Sequence, residues 1–289
     1  MASGRPYPPG VLERLQKVEN EILRVVDQVC RENGIIYFLH AGNLLGAVRH
    51  GGFIPWDDDI DIGMPWDDYC RFLEIAPLVL PKGYSLHDNS NTPGFSSLWA
   101  KIYVDDTIFM DEIAAEAGCQ QAIFLDILPF HKLAKNEARA WKQCRDGTFW
   151  QRMSYLHFLA HPHVPRNANF RRLKEVGCWV AHYTVARLFS PSYIKHRWEN
   201  AFDIPEEERG EHWMNASYTY KKLLPTGIIF PVSEIDYDGM KVLAPHDPDS
   251  YLRIAVGDDY MTPPPEADRY THLPLVLDFG DGINVMEGW

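Results

Sequence analysis

Four carboxylates, Asp57, Asp58, Asp59 and Asp61, crowd into one short stretch, and no Lys or Arg lies between Arg49 and Arg71 to neutralise them. Phe53-Ile54-Pro55-Trp56 followed by Asp59-Ile60-Asp61-Ile62 reads as an extended segment, in which alternate positions share a face. On that reading Asp57, Asp59 and Asp61 point one way, and Ile60 and Ile62 point back into the core. Two carboxylates about 5 Å apart repel by roughly 3 kcal/mol at an effective dielectric near 20. Such a stripe is costly to fold unless it faces water or holds a cation, and hard oxygen ligands suit Mg²⁺ or Mn²⁺. A solvated acidic loop is the alternative. The interleaved isoleucines argue against it, because a solvated loop does not need them.

Three further positions carry chemistry. Ala41-Gly42-Asn43 ends an apolar run (Ile35, Ile36, Phe38, Leu39) and opens Leu44-Leu45-Gly46-Ala47-Val48, a strand, tight turn and helix start whose N–H groups can hold phosphate. Lys101 lies inside the apolar stretch from Ser96 to Thr107. It reads either as an outward lysine on an edge strand or as a cation for a diphosphate. Asp126 stands alone in the apolar run from Ala122 to Phe130. A buried, unpaired charge costs several kcal/mol, so a partner is demanded. The readings open to Asp126 are a structural carboxylate bonded to backbone, a further metal ligand, or a general base.

The run Gly42-Asn43-Leu44-Leu45-Gly46-Ala47-Val48-Arg49-His50, followed by Gly52-Phe53-Ile54-Pro55-Trp56-Asp57-Asp58-Asp59-Ile60-Asp61-Ile62, resembles the signature of the LicD family. That family belongs to the nucleotidyltransferase-fold superfamily and is related to the fukutin-type proteins. The resemblance covers about residues 10–275, is densest over 36–69 and thins through the middle of the chain. It implies an α+β fold, a nucleotidyltransferase-like mixed sheet core with flanking helices and a helical insertion. The activity it implies is metal-dependent transfer of a phosphorylated alcohol, phosphocholine foremost, from a CDP-linked donor, CDP-choline favoured. The acceptor would be a hydroxyl of a cell-surface glycan, as in lipopolysaccharide or teichoic acid, or its lipid-linked precursor, and CMP would leave.

Carried onto this chain, the resemblance makes Asp59, Asp61 and Asp126 catalytic. With Asp57 they would hold Mg²⁺ or Mn²⁺, while Gly42, Asn43, Arg49, His50 and Lys101 would meet the donor phosphates. The family also places a basic residue like Lys101 ahead of a Thr such as Thr107. Two departures stand out: Asn43 replaces the Ser, Thr or Gly usual in the superfamily, and the spacing from it to Asp59 exceeds that of the smaller nucleotidyltransferases.

With 289 residues and 46% hydrophobic content, the chain can bury one sizeable core with a helical appendage. The expected layout is a single domain: a core over 10–133, a helical insertion over 135–202, and C-terminal strands with a short helix over 223–275. The net charge of −12 argues against nucleic acid as partner. Cysteines at 30, 70, 119, 144 and 178 show no zinc-type spacing and favour a reducing compartment. The polar, proline-rich start and the lack of a long apolar run point to a cytoplasmic protein that meets the inner membrane face peripherally if its acceptor is lipid-linked.

The elements that must position these groups follow from periodicity. Val11–Asn33 reads as an amphipathic helix ended by Gly34. A second helix starts at Pro65-Trp66-Asp67-Asp68, whose carboxylates suit a helix N-terminus better than a metal, and ends at Leu80-Pro81-Lys82-Gly83. Helical segments follow near Asn136–His161, Asn169–Phe189 and Ser192–Phe202. His161 and His163 have an HxH spacing but no acidic neighbour. Arg166, Arg171, Arg172 and Lys174 precede Trp179 and Tyr183, as either a solvated helix start or a patch for an anionic, membrane-linked acceptor. Gly227–Pro231 and Asp236–Val242 read as paired strands, and Asp247–Gly257 as a capped helix.

A trimethylammonium group would want an aromatic cage, which the sequence does not locate. Three other readings stay open: a DxD glycosyltransferase, a nucleotidylyltransferase, and a non-catalytic binding protein.

Overall fold

The computed structural model describes residues 6–162, 170–216, 222–269 and 271–289. His163 and Arg166 of the sequence reading lie outside them.

The first element, α1 (Val11–Asn33), ends at Gly34 in the left-handed conformation that glycine accepts readily. Its buried face is formed by Leu15, Ile22, Leu23, Val26 and Val29, with Glu19 among them. Strand β1 (Phe38–Leu39) leads directly into α2 (Ala41–His50). Then come β2 (Asp61–Pro65), α3 (Trp66–Val79), β3 (Tyr84–His87), β4 (Ala100–Val104), β5 (Ile108–Met110), α4 (Glu112–Ala117) and the long β6 (Phe124–Ala134). As expected, α3 carries Asp67 and Asp68 in its first turn; Asp68 accepts the Ile36 N–H and pairs with Arg71.

The helical stretch is α5 (Glu137–Phe158), α6 (Arg171–Tyr183), a single 3₁₀ turn at Val185–Leu188, and α7 (Pro191–Phe202). The chain closes with β7 (Arg209–Asn215), β8 (Leu224–Pro225), α8 (Thr226–Ile229), β9 (Ser233–Tyr237), β10 (Met240–Ala244), α9 (Pro248–Ala255) and β11 (Val276–Asp278).

The result is a mixed α+β fold. The central sheet runs β1-β2-β6-β4-β3, and β6 reaches beyond it to pair with β7, which pairs β8. Strands β2 and β6 are parallel, and β6 is antiparallel to β4. Gly63 in β2 is required by close approach: a Cβ there would lie 2.5 Å from the Phe38 ring and 2.7 Å from the Phe130 ring. One core fills the space between this sheet, α1, α2 and the C-terminal elements. A second packs Leu133 of β6 and Met214 of β7 against Cys144, Trp150, Trp198 and Phe202 of α5 and α7.

Three local readings change. Residues 53–62 are not one extended segment: the Asp57 N–H bonds the Ile54 carbonyl at 2.9 Å, closing a turn with Pro55 where proline favours it, and β2 begins only at Asp61. Ile60 and Ile62 are nevertheless fully buried. Gly227–Pro231 is not a strand. The C-terminal hairpin instead pairs β9 with β10 around Asp238 and Gly239, whose positive φ angles, 45° and 80°, suit a tight two-residue turn that matches strand twist. Lys101 is on an interior strand, because β4 lies between β3 and β6.

Candidate active site

Register places the charges. Across the parallel β2–β6 pair Asp61 stands opposite Asp126, and across the antiparallel β4–β6 pair Asp126 stands opposite Lys101. Opposed residues in a ladder project to the same side of the sheet. Three adjacent strands therefore present Asp61, Asp126 and Lys101 in one row.

The partner that Asp126 demanded is Lys101. Lys101 Nζ lies 3.0 Å from Asp126 Oδ1 and 3.1 Å from Oδ2, with both side chains buried. Trp99 Nε1 donates to Oδ1 at 2.6 Å. Lys101 also sits 3.3 Å above the centre of the Phe124 ring, a cation–π contact. Thr107 does not reach this pair. Its hydroxyl donates to the Val104 carbonyl and accepts the Ile123 N–H, closing the turn between β4 and β5.

The acidic run divides by hydrogen-bond partners. Asp58 turns inward and is fully buried, where it accepts from the Tyr7 hydroxyl (2.7 Å), the His272 and Leu273 N–H groups (2.8 and 3.1 Å) and His272 Nδ1 (3.0 Å). Burial pushes this carboxyl up, but the His272 bonds and charge outweigh burial and hold it below the usual carboxylate range. Asp58 is thus an anchor for the C-terminal segment. Asp57, Asp59 and Asp61 form the other group. Burial, reinforced by the neighbouring carboxylates, raises all three: Asp59 to about 6, and Asp57 and Asp61 well above the usual range.

His272 completes the cluster, with Nδ1 also 3.5 Å from Asp59 Oδ2. Burial works against its charge, yet Asp59 and Asp58 overcome it and push the imidazole up to about 10. A cleft of about 180 Å³ opens here, lined by Asp59, Lys101, Asp126 and His272 together with Trp99, Phe124 and Tyr155.

The turn before α2 has a different role from the expected one. Asn43 is 1% exposed and its amide is spent inside the protein. Nδ2 donates to the Asp59 carbonyl (3.0 Å) and the Tyr237 hydroxyl (3.1 Å), and Oδ1 accepts the Asp61 N–H (2.5 Å). Asn43 therefore clamps the backbone that carries the carboxylates, so its side chain has no spare donor for phosphate. Gly42 leaves room for a carboxylate, since a Cβ would stand 2.7 Å from Asp57 Oδ2. His40, at the cap of α2, accepts from Asn215 Nδ2 (3.1 Å) and donates from Nδ1 to the Tyr251 hydroxyl (2.5 Å). Burial lowers it to about 3, so it is neutral.

Arg49 and His50 lie at the far end of α2, about 10 Å along the axis from Gly42 at 1.5 Å per residue. Arg49 donates to the Tyr260 carbonyl and to His50, and Arg269 stacks 4.1 Å over Trp56 beside them. Gly42 and Arg49 do not form one phosphate seat. His161, paired with Glu116 at 3.0 Å, is apart from the cluster.

Among the described residues, no three His, Cys, Asp or Glu side chains are already gathered closely enough to hold a metal ion. The donor set still fits one. Asp57 Oδ2 and Asp61 Oδ1 are buried without hydrogen-bond partners, and these raised carboxylates sit in one another's field. A hard divalent cation satisfies such oxygens and removes their repulsion.

Sequence reasoning missed four groups. Trp99, two residues before Lys101 in alternating strand-like sequence, could have been found by period two. Asp58, one of the four crowded carboxylates, carried no local signal of its inward turn, because residues 53–62 are not one extended segment. Glu19 falls on the apolar face between Leu15 and Ile22; it is fully buried, both oxygens lack hydrogen-bond partners, and burial with the nearby aspartates raises it well above the usual range. His272, more than two hundred residues from Asp58, left no local signal.

The sequence model of the LicD/FKTN/FKRP nucleotidyltransferase domain matches residues 34–170. The lipopolysaccharide cholinephosphotransferase LicD of Haemophilus influenzae is 47% identical over 117 residues, 40% of this chain and 43% of that protein. The mouse ribitol 5-phosphate transferase FKRP is 40% identical over 86 residues, 28% of this chain and 17% of that protein. An uncharacterized Rickettsia typhi protein is 39% identical over 69 residues, 24% of this chain and 22% of that protein. The chain spans less than half the length of each of these relatives.

Proposed function

We propose, from the match of residues 34–170 to the LicD/FKTN/FKRP nucleotidyltransferase domain, that the protein transfers a phosphorylated alcohol from a CDP-linked donor to a glycan hydroxyl, releasing CMP. Phosphocholine is the favoured group and a cell-surface glycan or its lipid-linked precursor the favoured acceptor. The names of the relatives support the class: one is a cholinephosphotransferase, another a ribitol 5-phosphate transferase. The observation that carries the reading is the row Asp61–Asp126–Lys101 beside the cleft that Asp59 and His272 also line.

Asp59, Asp61 and Asp126, with Asp57, are the residues that would hold Mg²⁺ or Mn²⁺, which when bound supplies positive charge against the donor diphosphate. The protein's own groups do the rest. The acceptor oxygen attacks the distal phosphorus, the bond to the CMP oxygen breaks with its electron pair leaving on CMP, and the hydroxyl proton passes to Asp59 or Asp126. Lys101 and the protonated His272 are fixed cations at the cleft, preorganised for charge that develops on the phosphoryl oxygens.

The test is mass spectrometry of products after incubation with Mg²⁺, glycan acceptors and, in turn, CDP-choline, CDP-ribitol and CDP-glycerol, with Asp59→Ala in parallel. CMP release with a phosphoalcohol mass gain on the acceptor, lost in the variant, is the expected result. No turnover with any donor, or full turnover in the variant, rejects the reading. A CMP-modified acceptor with free phosphoalcohol would assign nucleotidylyl transfer instead.

A further inference from the structure

Helix α6 is amphipathic, yet among its described residues only His182 is buried. Leu173, Val176, Val180 and Tyr183 are spaced by three and four residues, which puts them on one stripe, and all four are exposed. Trp179 borders the stripe, and Leu173 is 70% exposed. Of the 21 large apolar side chains that the described residues leave exposed, nine lie between 170 and 193, so the surplus is local. His182, on another side of the helix, ties α6 to the body of the protein: Nδ1 donates to the Leu156 carbonyl (2.9 Å) and Nε2 receives Arg187 Nη2 (3.0 Å). The stripe is therefore turned away from the core, and a contiguous exposed patch of this kind marks a docking surface.

The charge pattern says for what. The whole chain carries −12, but residues 170–188 contain Arg171, Arg172, Lys174 and Arg187 against Glu175 alone, and Glu175 is paired with Arg171 at 2.6 Å. A basic, apolar face on an acidic protein complements an anionic surface with an apolar interior. Trp179 and Tyr183 are the aromatic types that settle at the boundary of water and lipid. At 13 residues the helix reaches only about 20 Å, too short to cross a bilayer, and no described helix is long and apolar enough to do so.

We infer that α6 lies in the plane of an anionic bilayer surface, with the Leu173–Val176–Val180–Tyr183 stripe and Trp179 in the acyl boundary, Arg172 at the flank of the stripe on lipid phosphates, and Lys174 on the far side adding attraction within a Debye length of the surface. The surface is distinct from the cleft and its occupancy does not depend on the transfer reading.

Co-sedimentation with vesicles tests it, using the full chain without donor or acceptor. Wild type is expected to bind vesicles of phosphatidylcholine mixed with phosphatidylglycerol, more weakly in high salt, and to stay in solution with phosphatidylcholine alone. Arg172→Gln with Lys174→Gln lowers binding by about fivefold for each basic side chain lost. Leu173→Ser with Trp179→Ser abolishes it; both positions are exposed, so circular dichroism should be unchanged. Wild type remaining in solution with anionic vesicles, or the Ser variant binding as wild type does, overturns the inference. So does a concentration-dependent dimer that the Ser substitutions dissolve, which would assign the face to a second copy of this chain.

Discussion

Asp61 and Asp126 face each other across the parallel β2–β6 ladder, two like charges on adjacent strands. What separates their environments is the next strand, where Lys101 neutralises Asp126 but leaves Asp61 Oδ1 without a hydrogen bond. The asymmetry makes the two carboxylates respond differently to substitution.

Asp61→Asn removes one of the crowded buried carboxyls, whose neighbours raise it well above the usual range, at the cost of an oxygen proposed to hold the metal ion. The metal-free variant is expected to melt above wild type, by roughly 1 kcal/mol of relieved repulsion, while CMP release falls at least about a hundredfold. Differential scanning calorimetry in chelator and a CMP-release assay check the two halves.

Magnesium should stabilise the wild type and not this variant. A ligand that binds only the folded state at about a hundredfold excess over its Kd contributes about 2.7 kcal/mol. Titrating Mg²⁺ into chelator-stripped protein should therefore raise the melting temperature in wild type and leave Asp61→Asn nearly unmoved. Equal responses would show that the ion binds elsewhere.

Lys101→Met leaves Asp126 buried without its ion-pair partner, which costs about 3–5 kcal/mol. Adding Asp126→Asn should recover most of that stability while activity stays lost, because both charges belong to the proposed site. Urea denaturation of the two single variants and the double variant gives the coupling directly.

The pH profile of the metal-free protein follows from the raised groups. His272 stands at about 10 in the folded protein against about 6.5 when unfolded. Its contribution is whole below about 6.5 and is lost as pH rises through about 10. Asp59, raised to about 6, acts in the same direction at lower pH, its contribution lost as pH rises from about 4 to about 6. Asp58, held low, loses its contribution only as pH falls below the ordinary carboxylate range. Melting temperature in chelator should thus decline on the alkaline side, and His272→Gln should flatten the decline between about 6.5 and 10. An unchanged slope in the variant would remove His272 from the explanation.

Asn43→Ala breaks three hydrogen bonds, two that hold the Asp59 and Asp61 backbone and one to the Tyr237 hydroxyl. At about 1 kcal/mol for each, the expected loss is roughly 3 kcal/mol, with a smaller melting response to Mg²⁺. Retention of the full response would mean that the carboxylates keep their places without this clamp.

Much of this protein is written locally. The 3.6-residue spacing from Leu15 to Val29 and the glycine at 34 fix α1 and its end; the acidic run with Gly42 marks the candidate site and the resemblance to the LicD family; the isolated Asp126 announces a buried charge in need of a partner. Each rests on the geometry of a single strand or helix, which sequence spacing contains.

What tertiary structure alone decided is which charges meet. The alignment of Asp61, Asp126 and Lys101 depends on the register of three strands that are not consecutive in the chain. The inward turn of Asp58 depends on the N–H groups of His272 and Leu273 arriving from the far end of the sequence. Asn43 looked like a phosphate ligand by position, and became a clamp because Tyr237 and the Asp59–Asp61 backbone close around it. Burial sets the protonation of these groups, and burial is a property of neighbours that no local window of the chain contains.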